Sequence, residues 1–345
     1  MSTTFSFTVD SETEPLRLDA FLSQQESLGS RSQIKQRLLH VRVNGVDAKL
    51  SAIIRTGDHI NGALQTPASS DLNAEPMNAE ILFENDDAIV VNKPAGLVVH
   101  PALGNYTGTL LNGLLGHVQN LQEKFGTEAQ RPGIVHRLDK DTSGVLIAAK
   151  HPSAHDFLSH QFAERHVGKL YVAVVKGIPR TLSGVVSSRI VRDPANRKRY
   201  ITTDSATKGK PCRTSYQVLH RLTGSEKPLS VVLLYPHTGR THQLRVHMQS
   251  IGCPILGDPV YSRKESGWPD SGLLLHAALL SIALPGESVP SVFFAAIPCR
   301  WNPVLELFSE RDPRLQDHVV PADKDWFESR LQLLRAVHEQ ETPSY

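Results

Sequence analysis

Cysteine is scarce in this chain: Cys212, Cys253 and Cys299 are the only three in 345 residues, and they are widely spaced. That excludes a disulfide framework and a paired-cysteine metal site, and it suits a reducing compartment. No apolar run approaches the length needed to cross a bilayer. The first ten residues hold no basic region followed by an apolar core, so no secretory leader is expected. Asn105-Tyr106-Thr107 has the form of a glycosylation sequon, which means nothing without secretion. A cytoplasmic protein without membrane attachment is the expectation. Also missing are a phosphate loop ending in Lys-Ser or Lys-Thr, a dinucleotide glycine signature and any Cys-x-x-Cys pair, which counts against an ATPase, a dehydrogenase and a zinc-finger reader. No internal repeat is evident.

Net charge is also small, +2, but it is unevenly spread. Residues 31–55 carry Arg31, Lys35, Arg37, Arg42, Lys49 and Arg55 against the single acid Asp47. Residues 189–213 carry eight bases against Asp193 and Asp204, while residues 71–87 carry acids alone. Two local basic patches on a near-neutral chain suit a polyanionic partner, with ordinary solvated surface charge as the alternative.

Four segments are expected. Residues 16–62 form a small unit: Leu18, Phe21 and Leu22 give one side of a short helix, and Ser30 can cap a second that runs through Ile34 to Leu39. Asn44-Gly45 is a tight-turn signal. Residues 63–79, rich in Ala, Ser, Asn and Pro, read as a linker. Residues 80–305 alternate short strand candidates with irregularly inserted helices, too unevenly for a doubly wound sheet. Residues 306–345 read as a polar, partly helical extension.

The densest chemistry lies at Gly133-Ile134-Val135-His136-Arg137-Leu138-Asp139-Lys140-Asp141-Thr142-Ser143-Gly144. Apolar runs enter it at Ile134-Val135 and leave it at Val145 to Ala149; both read as buried strands. The polar residues between them then sit on a loop held by two rigid elements, where an aimed side chain is well placed. Asp139 is the candidate, with Arg137 and Lys140 as neighbouring cations. A plain solvated turn is the alternative. His136, His242 and His247 lack the close spacing of a zinc site, and no metal is expected. No hydrolase elbow surrounds Ser143.

His136-Arg137-Leu138-Asp139 followed by Thr142-Ser143-Gly144 resembles the catalytic loop of the pseudouridine synthases, in the branch that modifies large-subunit ribosomal RNA. The likeness continues in Asn92-Lys93-Pro94-Ala95-Gly96, Lys169-Leu170-Tyr171 and the run from Thr238 to His247. It ends in Gly257-Asp258-Pro259-Val260-Tyr261 and Leu275-His276-Ala277. The resemblance implies an α+β fold, with a mixed, mainly antiparallel central sheet, flanking helices and a catalytic cleft. It also implies that residues 16–62 are a small N-terminal α/β RNA-binding module, although His40 stands where that pattern usually has glycine.

The resemblance further implies an isomerase that needs no cofactor. Asp139 matches the family carboxylate, and Tyr171 matches an aromatic that stacks on the uracil and whose hydroxyl is a possible proton acceptor. Spacing alone does not choose between Arg240 and Arg245 as the partner of Asp139; the resemblance favours Arg245 and leaves Arg240 as a support or phosphate contact. Arg137, Lys93 and, in the N-terminal unit, Arg31, Lys35, Arg37 and Arg42 are the expected RNA contacts. The expected partner of this monomeric enzyme is large-subunit ribosomal RNA or a pre-ribosomal particle. The competing readings are a noncatalytic ribosomal RNA-binding or assembly factor, and a transfer RNA pseudouridine synthase. An unrelated hydrolase using the Asp139 loop is a third, which leaves residues 16–62 without a role.

Overall fold

A computed structural model describes residues 2–10, 15–25, 28, 31–65, 72–102, 104–126, 129–224, 227–263, 270–312, 314–315, 319–321 and 323–341. The chain divides into two compact units, Met1–Leu72 and Asn73–Tyr345.

In the first unit, β1 (Ser2–Thr8), β2 (Leu16–Arg17), α1 (Leu18–Leu22), α2 (Arg31–Arg37), β3 (Leu38–Val43), β4 (Val46–Asp47), β5 (Ile53–Ile54) and β6 (His59–Gln65) follow in order. The main sheet runs β1-β6-β3-β4. Leu18, Phe21, Leu22 and Ile34 from the helices join Phe5, Val41, Ile60 and Leu64 from the strands in one core. Asn44 and Gly45 turn β3 into β4 with φ of 51° and 81°, the left-handed pair that a two-residue hairpin demands. His40 lies within β3, beside a bulge against β6, and needs no glycine-like backbone. The Ser30 cap falls outside the described residues. β6 continues to Gln65, into the segment read as linker.

The second unit contains β7 (Glu80–Glu84), β8 (Ala88–Lys93), α3 (Leu110–His117), α4 (Leu121–Phe125), β9 (Ser143–Ala149), α5 (Pro152–Ala163), β10 (Gly168–Lys176) and β11 (Ser183–Arg192). β12 (Tyr200–Thr203), β13 (Lys210–Leu222), β14 (Leu229–Pro236), α6 (Gln243–Ser250), β15 (Leu275–Ile282), β16 (Ser291–Phe294), α7 (Asn302–Arg311) and α8 (Lys324–Glu341) complete it. The sheet order is β12-β11-β13-β14-β10-β15-β9-β8-β7, with β16 also on β15. Among the described residues every strand pairing is antiparallel except β15 with β9, which is parallel and two residue pairs long: His276 with Ser143 and Ala277 with Gly144.

The central strands are buried on both faces, so they read as continuous apolar runs. On β10, Leu170, Val172 and Val174 meet α7 and α8 on one side, while Ala173 and Val175 meet Leu244 and Met248 of α6 on the other. Farther along the sheet, α3 and α4 cover one face of β8 and β9, and α5 covers the other.

Two local expectations are revised, those for residues 306–345 and for Ile134-Val135. The chain after residue 305 supplies Phe308, Phe327 and Leu331 to the core, because its apolar residues recur at helical spacing on otherwise polar helices. The charged stretch from Arg189 begins inside β11 and turns back as β12. β15 lies centrally, between β10 and β9. Ile134 makes a single bridge to Ala148 instead of a strand. The backbone turns away at Gly133 (φ 76°), which frees residues 135–142 to cross the end of the sheet.

Candidate active site

The loop carrying Asp139 is pinned at several points. Leu138 is buried among Ile89, Val91, Leu146 and Ala277. Its chain neighbours therefore project from a fixed anchor. Thr142 N–H donates to Asp139 O at 3.2 Å, and Gly96 N–H donates to Lys140 O at 2.9 Å. Ser143 Oγ is 2.9 Å from His276 Nδ1, and His276 Nε2 donates to Ala295 O at 3.0 Å, which ties the loop's end to β15. Gly144 has φ 116°, and a Cβ there would collide with the Ala277 carbonyl, so only glycine permits the close parallel pairing beside the loop.

Lys93, expected as an RNA contact, is corrected by its burial. Its side chain is wholly inaccessible, and Nζ donates to Pro94 O, Leu97 O and Lys140 O at 2.9, 2.9 and 3.0 Å. Three carbonyls satisfy an ammonium's three donors. Burial nevertheless pushes its pKa down to about 7, against the opposing charges of Asp141 and Asp139. Lys93 thus staples the turn at 94–97 to the Asp139 loop.

Arg245 sits on α6, whose first turn is set by its flanks. His242 precedes the helix in a left-handed conformation (φ 57°). Gln243, nearly inaccessible, accepts from Thr238 Oγ1 at 2.7 Å and from Arg240 N at 3.0 Å, and its amide donates to Arg213 O and Thr214 Oγ1, both at 3.0 Å. The guanidinium of Arg245 then spans two acids. Nε and Nη2 donate to the Oδ2 and Oδ1 of Asp258 at 2.7 and 2.9 Å, and Nη1 donates to Asp139 Oδ2 at 3.0 Å. Asp258 is completely buried, and its Oδ1 also accepts Val260 N–H and Tyr261 N–H at 2.8 and 3.0 Å. Burial opposes the Arg245 charge, but its bonds to Asp258 and the charges of both acids raise its pKa above the ordinary value. A two-sided fork of this kind orients one carboxylate by means of another.

Tyr261 closes the cluster. Its ring centre lies 5.1 Å from the Arg245 guanidinium, and its hydroxyl accepts Tyr200 N–H at 2.8 Å and is hydrogen-bonded to His242 Nδ1 at 2.9 Å. The other His242 nitrogen is 3.8 Å from Asp139 Oδ2. Asp139, Tyr171, Arg245, Arg137, Arg240 and His242 all line one cavity of about 750 Å³. Burial, then the Asp139 charge, push the Tyr171 hydroxyl well above the usual phenol range, so it is neutral at ordinary pH. His136, beneath the loop, stacks on Phe162 at 4.5 Å and accepts Ile147 N–H at 3.0 Å; burial lowers its pKa to about 3.

Of the arginines that spacing left open, Arg245 reaches Asp139, whereas Arg240 extends toward Pro211 O at 3.5 Å. In the first unit Arg31 and Lys35 are exposed, Arg37 donates to Gln65 O at 3.0 Å, and Arg42 pairs with Asp47 at 2.8 Å. Asp258 and His242 carried no assigned role in the sequence reading. An acid between Gly257 and Pro259 is the one available signal for the first, and His242 differs in no visible way from other motif histidines.

Residues 87–250 match the RNA pseudouridylate synthase family. The chain is 40% identical over 303 residues to ribosomal large subunit pseudouridine synthase D of Borreliella burgdorferi, an alignment covering 86% of this chain and 91% of that protein. It is 39% identical over 293 residues to an RNA pseudouridine synthase of Bacillus subtilis, covering 84% and 93%. Among solved structures, human RNA pseudouridylate synthase domain containing 1 superposes with a TM-score of 0.54 at 26% identity, over 75% of this chain and 97% of that one. The chain belongs to the RNA pseudouridine synthase family. Its activity is accordingly the isomerisation of uridine to pseudouridine in RNA.

Proposed function

We propose that the substrate is large-subunit ribosomal RNA and that Asp139 is the catalytic carboxylate, with Tyr171 as the base platform and Arg245 as the orienting cation. The observation that carries the residue assignment is the Asp258–Arg245–Asp139 bridge, which holds one carboxylate inside the cavity by means of a second that is fully buried. The substrate assignment draws on relatives from Borreliella burgdorferi, Nitrosomonas europaea and Zymomonas mobilis, each named as a ribosomal large subunit pseudouridine synthase.

In the route we favour, Asp139 removes the sugar C2′ proton as the C1′–N1 bond breaks, leaving a glycal and a uracil anion. The base turns against the Tyr171 ring, C5 adds to C1′ and the proton returns to C2′. Loss of the C5 proton and gain of one at N1 complete an isomerisation with no net change in atoms. Tyr171 starts as a neutral phenol, so accepting the C5 proton requires it to pass its own proton to Asp139 in the same step. Exclusion of water keeps the freed base in place. The target nucleotide must leave its stack to enter, and Arg137 and Arg240, which line the cavity, are assigned to contact the RNA there.

Residues 16–62 are read as the RNA-docking module, with Arg31, Lys35, Arg37 and Arg42 meeting phosphates, in a monomeric cytoplasmic enzyme. Deleting residues 1–62 should leave conversion of a short RNA intact and weaken site selection on long RNA. The decisive experiment maps pseudouridines in ribosomal and transfer RNA from cells with and without the gene. Loss of a site in large-subunit RNA is expected; loss confined to transfer RNA would overturn the substrate assignment.

A further inference from the structure

Next to the cavity lies a second group of basic side chains, His100, Arg131 and Arg137, of which the proposed function uses only Arg137, as an RNA contact. Arg131 and Arg137 stand at the two ends of the stretch that leads into the Asp139 loop. His100 comes from the preceding loop, which Lys93 and Gly96 tie to Lys140 O. Val99 and Leu138, the chain neighbours of His100 and Arg137, share one core cluster with Ile134, so the two loops are packed together at this point.

The group has the electrostatics of a site built for an anion. His100 is 4% exposed, and its Nδ1 is a buried nitrogen without a hydrogen-bond partner among the described residues. Its Nε2, which no described protein group bonds, is the nitrogen that still touches solvent. Arg131 and Arg137 are exposed, and among the described residues neither has an acid within ion-pair distance. Burial and then the charges of Arg131 and Arg137 push the His100 pKa down to about 4; burial and the Arg137 charge also lower that of Arg131. The two guanidiniums repel each other as they stand, and the neutral imidazole beside them keeps a buried nitrogen without a partner among the described residues. A shared anion relieves all three, since each guanidinium offers a planar fork and the neutral imidazole one N–H.

We propose that His100, Arg131 and Arg137 form a phosphodiester subsite that grips the RNA backbone beside the flipped uridine. This rests on the reading of the Asp139 cavity as the uridine pocket, because Arg137 lines both places. The subsite fixes the strand next to the nucleotide that leaves the stack and supplies position rather than base recognition.

The test begins with a short RNA that the full-length protein is shown to convert. Single uncharged methylphosphonates are then placed at each phosphate flanking the target, and binding is measured by anisotropy over a range of salt. For the unmodified protein, one substitution should weaken binding about ten-fold. Arg131→Gln should weaken binding to the native RNA by a similar factor, reduce the salt slope by about 1 and be indifferent to that same methylphosphonate. Arg131→Lys should recover part of the loss. Arg131 is exposed, so folding is not at stake, and His100→Gln, checked by circular dichroism, should show the same indifference. Additive losses at every flanking phosphate would overturn the subsite while conversion by the unmodified protein left the pocket reading standing. Failure to convert any RNA would overturn both.

Discussion

Replacing Asp258 by asparagine is the most searching perturbation of the site, because Asp258 never touches the cavity. In the native fold its two oxygens accept four donors: Arg245 Nε at 2.7 Å, Arg245 Nη2 at 2.9 Å, Val260 N at 2.8 Å and Tyr261 N at 3.0 Å. The carboxamide of the Asp258→Asn variant keeps one oxygen, which can serve the three donors that Oδ1 now serves. The amide nitrogen then faces Arg245 Nε–H, donor against donor. One charge-assisted bond is lost, worth about 1.5–3 kcal/mol, and breaking a buried ion pair outright costs about 3–5 kcal/mol. Because three bonds and the contact to Asp139 survive, a loss of about 3 kcal/mol is expected, read as a shift of the urea midpoint at unchanged slope. The guanidinium also loses its fixed seat, so Asp139 is aimed less well. A misplacement near 1 Å can cost about 100-fold in rate. Single-turnover tritium release from C5-labelled RNA should fall on that order, with RNA affinity little changed. A variant of native stability and native rate would refute the claim that the buried acid orients the catalytic one.

Asp139→Asn should fold and bind RNA normally but form no pseudouridine; normal turnover by the purified variant would remove Asp139 from its role. Tyr171→Phe keeps the ring and should keep affinity while slowing turnover, and an unchanged rate would leave the hydroxyl without function. Gly144→Ala combines a left-handed backbone with a collision at Ala277 O, so it should destabilise the second unit by at least about 3 kcal/mol in urea melts. Acid should act through the buried imidazoles. Burial holds His136 at about 3 and His247 and His276 at about 4, against about 6.5 when unfolded. The unfolded chain then takes up protons that the fold refuses. Stability is therefore full above pH 6.5 and declines toward pH 4 by about 1.4 kcal/mol per pH unit per histidine. A flat stability profile between pH 7 and 5 would contradict this.

The strands of the second unit were readable because period and composition agree. On β10 the alternation of Leu170, Val172 and Val174 against Ala173 and Val175 matches the two cores they enter. Motif order brought Asp139 and Arg245 into view together; spacing alone did not separate Arg245 from Arg240, the resemblance favoured Arg245, and the fold brings Arg245 to Asp139. Lys93 misled because a lysine in a turn reads as solvent-facing, and the carbonyls that take it up belong partly to residue 140, far along the chain. Asp258 was hidden because its partner lies on another element and an acid between glycine and proline reads as a turn. The depth of α7 and α8 was obscured by composition: a few apolar residues at helical spacing suffice to bury one face of a polar segment.

The short parallel seam between β9 and β15 also bears on when the enzyme becomes competent. Ser143 and His276 meet across 133 positions of sequence. A chain growing from its N-terminus exposes the Asp139 loop long before it has made the strand against which the loop must lean. Pairings of such long range form late, after local hairpins have reduced the loop entropy still to be lost. Until synthesis has passed β15, the β10 edge is unpaired and Ser143 has no imidazole to hold. Chains released early are therefore expected to be inert toward uridine even if their first unit, read as a docking module, is intact, so that an incomplete product occupies RNA without altering it.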